Sequence, residues 1–170
     1  MDGFLPGSEC QDCKGKCCRE HGCVLAPADF FKDGTGPEKE NIVKKLKNGD
    51  LYAIDRTGYE GGLLYYIRMR HKCYTFIGID AIGECVMLGD NGCGFSFEER
   101  PLGGKALQSS PDFHCTQTYT LDKMAADWEP YSEVLSEIFN EYEELFYSDG
   151  TFDECDERYF EWLRNKKGDK

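Results

Sequence analysis

The stretch LYAIDRTGYEGGLLYYIRMR, residues 51–70, decides the fold class. Its halves, LYAID and LLYYIRMR, are rich in aromatic and β-branched residues, which suit a pleated surface. TGYEGG between them supplies the glycines of a chain reversal, so the stretch reads as two short strands joined by a turn. CYTFIGI, residues 73–79, has the same composition and adds a third strand. GECVMLGDNGCGF, residues 83–95, then reads as a hairpin. In it Asp90-Asn91-Gly92 turns the chain between arms that carry Cys85 and Cys93. SFEERP follows as a short helical turn, with Ser96 as cap and Glu99 in the capping-box position.

Outward from this strand region, about 50–100, both flanks read as helical. Pro27 in APADFF suits the first turn of a helix. PEKENIVKKLKNG, residues 37–49, is a helix with Glu early, Lys late and Gly49 as its stop. In the last third, apolar residues recur at Tyr131, Val134, Leu135, Ile138, Phe139, Tyr142, Leu145 and Phe146, with glutamates on the other face. That stripe is read as core. Thr151 with Glu154 opens a further helix through Tyr159 and Trp162. The expectation is therefore an α+β fold in one small domain, 1–170. It comprises a cysteine-rich loop at 1–24, a few short antiparallel strands, and an acidic helical cap at 119–167.

A chain of 170 residues can bury a core without disulfide staples, which frees its ten cysteines for other work. The first residues, MDGFLPGSEC, lack the basic start and apolar run of a secretory signal, and no apolar run approaches about 18 residues. A cytoplasmic protein without a membrane span is expected, and in a reducing cytosol clustered thiols favour metal or catalysis over disulfides. The net charge is −12, and residues 119–170 carry fifteen acidic against six basic side chains. Such a surface repels phosphate backbones, which argues against nucleic acid. The acidic helices present either a solvated face or a docking surface for a basic protein partner.

Five cysteines fall within CQDCKGKCCREHGC, residues 10–23. Cys10-x-x-Cys13 has metal-knuckle spacing, because a two-residue loop lets both sulfurs face one ion. A redox dithiol shares that spacing, but it would open a helix after a buried strand, and MDGFLPGSE is no strand. Cys17 and Cys18 are adjacent; in an extended chain they point to opposite sides, so as ligands they serve two ions, bridge a multinuclear centre, or divide between one metal and another role. Cys23 closes the same loop. With Cys85, Cys93 and Cys115 these make eight sulfurs, enough for two four-thiolate sites of zinc or iron–sulfur type. Cys73 and Cys155 read as small buried residues. His21 is able to stand in for a sulfur, His114 adjoins Cys115, and His71, among Arg68, Arg70 and Lys72, is expected at the surface.

CQDCKGKCC fits the pattern CxxCxxxCC, and GECVMLGDNGCGFSFEERP resembles the later block of the YkgJ-type cysteine-cluster family, described as a zinc- or iron-chelating domain. A flagellin lysine N-methylase group shares the cluster. The resemblance covers residues 10–23 and 85–105. It implies Cys10, Cys13, Cys17, Cys18, Cys85 and Cys93 as metal ligands, with Glu99, Arg100 and Pro101 as a supporting motif. Many members continue after Arg-Pro with two residues and then Cys-Arg; here Gly104 and Lys105 stand in those places. Cys115 and Cys23 are the candidates to replace the missing thiol. The expected function is metal binding through thiolates from two sequence-distant blocks. The alternatives are a metal-cluster-dependent enzyme, for which the resemblance suggests protein-lysine N-methylation, and a thiol-based metal-delivery or redox protein. No methyl-donor loop of the glycine-rich kind is visible.

Overall fold

The computed structural model describes residues 15, 18–19, 22–49, 51–72, 76–78, 83–90, 92–108 and 116–144. At its centre, β1 (Tyr52–Tyr59) and β2 (Gly62–Met69) pair antiparallel, with Tyr52 opposite Met69 and Tyr59 opposite Gly62. The turn is tighter than the glycine pattern suggested. Thr57, Gly58 and Tyr59 stay in β1, and Glu60 and Gly61 alone reverse the chain, at φ 47° and 79°. Both angles lie in the left-handed region that a two-residue turn needs to match strand twist. Glycine adopts it freely, whereas Glu60 pays about 1–2 kcal/mol for it.

Segments outside the named strands extend this hairpin on both edges. On the β1 edge, Ile77 bridges Ile54 in parallel, through Ile54 N to Phe76 O (2.8 Å) and Gly78 N to Ile54 O (2.7 Å). On the β2 edge, Val24 lies antiparallel to Arg68, through Leu25 N to Ile67 O (3.0 Å) and Met69 N to Cys23 O (2.9 Å). The loop expected at 1–24 therefore ends as a strand-like segment. Ordered chain also occurs within it: residues 18–19 lie in a helical turn, and Arg19 N donates to Gly15 O at 3.1 Å. The extended backbone assumed for Cys18 is thus corrected. Its turn is set by local hydrogen bonding that composition does not reveal.

The pleat sends alternate side chains to opposite faces. The face of Tyr52, Ile54, Arg56, Tyr65 and Ile67 receives the helices. Phe30 of α1 (Pro27–Phe30) meets Tyr52 edge-on at 5.4 Å between ring centroids. Ile42 and Leu46 are the buried residues of α2 (Lys39–Gly49), which ends at Gly49 as its sequence pattern indicates. Hairpin β3 (Leu88–Gly89)/β4 (Gly92–Cys93) pairs Leu88 with Cys93, as the Asp90-Asn91-Gly92 signal suggests. After it, SFEERP makes a short turn at 97–99. Glu99 still closes back on Ser96, accepting from its backbone N at 3.0 Å. That bond and the Ser96 side chain hold the Glu99 carboxyl below its usual range. The short α3 (Leu102–Lys105) and the two-residue pair β5 (Leu107–Gln108)/β6 (Thr116–Gln117) follow.

Helix formation in the last third starts earlier than the stripe at Tyr131 indicates. Thr120 caps α4 (Leu121–Trp128), and Pro130 sits in a 3₁₀ turn that leads into α5 (Ser132–Tyr142). Leu135, Ile138 and Phe139 are fully buried, so within α5 the apolar stripe is core. Phe139 meets Tyr65 at 5.4 Å. Part of the acidic charge is used within the chain, since Glu141 pairs with Lys39 at 2.7 Å and Glu143 with Arg56 at 3.0 Å. The expected α+β single domain is observed. Leu145, Phe146 and the helix expected from Thr151 lie outside the described residues, and no helix among those described is long and apolar enough to cross a membrane.

Candidate metal centre

Three packed segments carry Cys23, Cys85 and Cys93. The first is 22–25, held on β2 and clamped from its far side. The indole Nε1 of Trp128 donates to Leu25 O at 2.9 Å. Asp29 accepts from Ala26 N (3.0 Å) and Leu102 N (2.8 Å), joining α1 to the start of α3. Gly103 N donates to Val24 O at 3.1 Å, and a Cβ on Gly103 would fall 2.4 Å from that oxygen. Glycine is required there because backbone lies directly on backbone.

The second segment is 83–86. Beyond Met69 the chain continues as residues 70–72, which pair with 84–86 through Lys72 N to Glu84 O (2.8 Å) and Val86 N to Arg70 O (2.9 Å). His71 and Cys85 face each other across this bridge. Cys85 N donates to Cys18 O at 2.8 Å, so the backbones of the two cysteine blocks touch. The third segment, β4, ends at Cys93.

Cys23, Cys85 and Cys93 are free thiols. Burial pushes the Cys23 thiol well above its ordinary value, and the neighbouring Cys85 and Cys93 raise it further while Arg100 acts the other way. Cys85, 4% exposed, is raised by burial and by Cys93, against the Met87 backbone, Arg68 and Lys72. Cys85 and Cys93 thus make ionisation of Cys23 harder, and Cys93 does the same to Cys85. A cation would release Cys23 and Cys85 from that penalty, because a bound soft metal takes thiols as thiolates. The donor set suits zinc or iron–sulfur chemistry. Among the described residues, however, no group of three or more His, Cys, Asp or Glu side chains is placed to complete a metal site.

Of the eight sulfurs expected as ligands, Cys18, Cys23, Cys85 and Cys93 are among the described residues: Cys18 meets Cys85 through the backbone, and Cys85 and Cys93 lie close enough to Cys23 to act on its thiol. Cys10, Cys13, Cys17 and Cys115 lie outside the described residues, as do Cys73, Cys155, His21 and His114. The site of the missing cysteine is informative. A Cβ on Gly104 would lie 3.6 Å from Cys23 Sγ and 3.4 Å from Arg100 Cβ. Of the two candidates to replace that thiol, Cys23 occupies the adjoining space.

His71 is a correction. Expected at the surface, it is 0% exposed, because residues 70–72 prolong the sheet and turn it inward. Among its charged neighbours, Lys72 is exposed and pairs with Glu84 at 3.2 Å. Beside His71 lie Arg68 and Asp55, 2% and 1% exposed, joined by Arg68 Nε to Asp55 Oδ2 at 2.6 Å. These residues were missed as a site. A signal existed: Asp55 interrupts an apolar strand, and the hairpin register puts it diagonally across from Arg68 on the same face.

No family model, curated protein or solved structure matches the chain.

Proposed function

We propose that this chain is a metal-binding cysteine-cluster protein of the YkgJ-type kind, holding zinc or an iron–sulfur centre through thiolates from both cysteine blocks. The observation that carries the reading is the contact of the blocks: Cys18 O accepts from Cys85 N at 2.8 Å, while Cys23, Cys85 and Cys93 crowd one another electrostatically. Cys23, Cys85 and Cys93 would supply thiolates, with further sulfurs from Cys10, Cys13, Cys17, Cys18 and Cys115. The ion would neutralise the thiolates and tie the loops together. Arg100, 8% exposed, would offset the charge left on Cys23. The reading places the protein in the reducing cytosol, where such thiols stay available.

Elemental analysis of anaerobically purified protein tests it. Near-stoichiometric zinc in a colourless sample, or iron and sulfide in a brown one, is the expected result. Cys23→Ser, Cys85→Ser and Cys93→Ser should each lower the metal content. Wild-type protein that folds without metal, and gains none when reconstituted anaerobically with zinc or with iron and sulfide, overturns the reading.

A further inference from the structure

The imidazole of His71 is the meeting point of three segments. Gly22, next to Cys23, approaches one edge: a Cβ there would lie 3.4 Å from Nε2, and its φ of +59° also favours glycine. Gly83, two residues before Cys85, approaches the other: a Cβ there would lie 3.0 Å from Nδ1 and 3.1 Å from Cγ. The ring's own backbone is bridged to Cys85. Arg68 fixes the ring from within, Nη1 lying 3.1 Å from Nδ1 and also against Nε2, and Asp55 fixes Arg68. A guanidinium can only donate, so the ring nitrogen it bonds is an acceptor, which restricts the ring's orientation. Gly78 closes the outer side; a Cβ there would fall 2.8 Å from Arg68 Nη2.

We propose that His71, oriented by the buried Asp55–Arg68 pair, is a positioning residue that latches the Cys23 segment to the Cys85 segment and so sets the geometry of the thiolate site. This rests on the metal-binding reading for its consequence, but the latch itself is a property of the metal-free chain. An ordinary core histidine would stabilise the fold as a whole. A latch instead holds two particular loops in register, and its loss should be felt first at their sulfurs. Residues that orient metal ligands typically change affinity about 10–100-fold when removed.

The test compares the wild type with His71→Ala, Gly83→Ala and the core control Leu135→Ala. Gly83→Ala keeps every cysteine and the histidine but presses a methyl on Nδ1, so it serves if His71→Ala does not fold. Two readouts are taken well below the unfolding transition: cobalt(II) affinity with its sulfur-to-metal absorption band, and alkylation rates of Cys23 and Cys85 in metal-free protein. The latch variants should lose about 10-fold or more in cobalt affinity, with an altered band, and should alkylate Cys23 and Cys85 about 10-fold faster. Leu135→Ala should destabilise the fold without either change. If the wild type binds no metal, the metal reading falls while alkylation still decides the latch. Unchanged alkylation in both latch variants, or equal effects from Leu135→Ala, overturns it.

Discussion

The Cβ position of Gly104 lies 3.6 Å from the sulfur of Cys23. Two residues far apart in sequence thus lie side by side, the Cys23 sulfur against the face of α3 that carries Gly104. Gly104→Cys should be accommodated, since 3.6 Å is ordinary contact, with stability unchanged within about 0.5 kcal/mol. The added thiol should bind metal or pair oxidatively with Cys23. Peptide mapping after mild oxidation reports the pairing; a variant whose new thiol alkylates freely and independently of Cys23 contradicts it.

The neighbouring glycine behaves oppositely. In Gly103→Ala the methyl would sit 2.4 Å from Val24 O and 2.9 Å from Val24 N, so the Cys23–Val24 backbone must move. Overpacking of this kind costs about 1–3 kcal/mol, and a lower urea midpoint is the expected readout. Metal content should fall with it.

Trp128→Phe removes the indole donor to Leu25 O while keeping an aromatic ring in the core. A buried carbonyl left without its partner costs about 1–3 kcal/mol. Urea unfolding should show that loss, and amide exchange should rise along residues 23–25 before it rises in β1.

Chelation should loosen residues 18–23 and 85–93 together while leaving β1 and β2 protected. Hydrogen exchange by mass spectrometry, with and without chelator, reads this directly. Loosening of one block alone would show that they do not share a site.

The phenol of Tyr119, 5% exposed, donates to Asp127 at 2.9 Å. Burial, then the Asp127 carboxylate, raises its folded-state pKa well above the ordinary 10.0. Its contribution is therefore whole below pH 10 and is lost as pH climbs toward the raised value, because the unfolded phenol ionises first. Wild-type and Tyr119→Phe stabilities should converge between neutral pH and about pH 11. Parallel profiles would argue against the shift.

What was legible in the sequence was what local pattern encodes. Aromatic and β-branched residues on either side of a glycine turn marked β1 and β2, Gly49 marked the end of α2, and Asp90-Asn91-Gly92 marked the small hairpin. The capping pair Ser96 and Glu99 forms and the chain turns at 97–99, where Pro101 two residues on keeps the turn short. The placement of His71 was hidden by its charged neighbours, since its burial depends on a strand extension paired with residues distant in sequence. The contact of Cys18 with Cys85 was inferable from ligand counting alone. The nearness of Gly104 to the Cys23 sulfur could be seen only once α3 and the 22–25 segment lay side by side.

The sheet's edges have a consequence for the order in which the protein assembles. β1 and β2 are joined by two residues and close with little loss of chain entropy, while Val24 on Arg68, Ile77 on Ile54 and Cys18 on Cys85 each await a longer loop. Refolding without metal should therefore recover hairpin protection early and thiol protection late. A nascent chain would carry its first cysteine block exposed until the strand that receives it has been made.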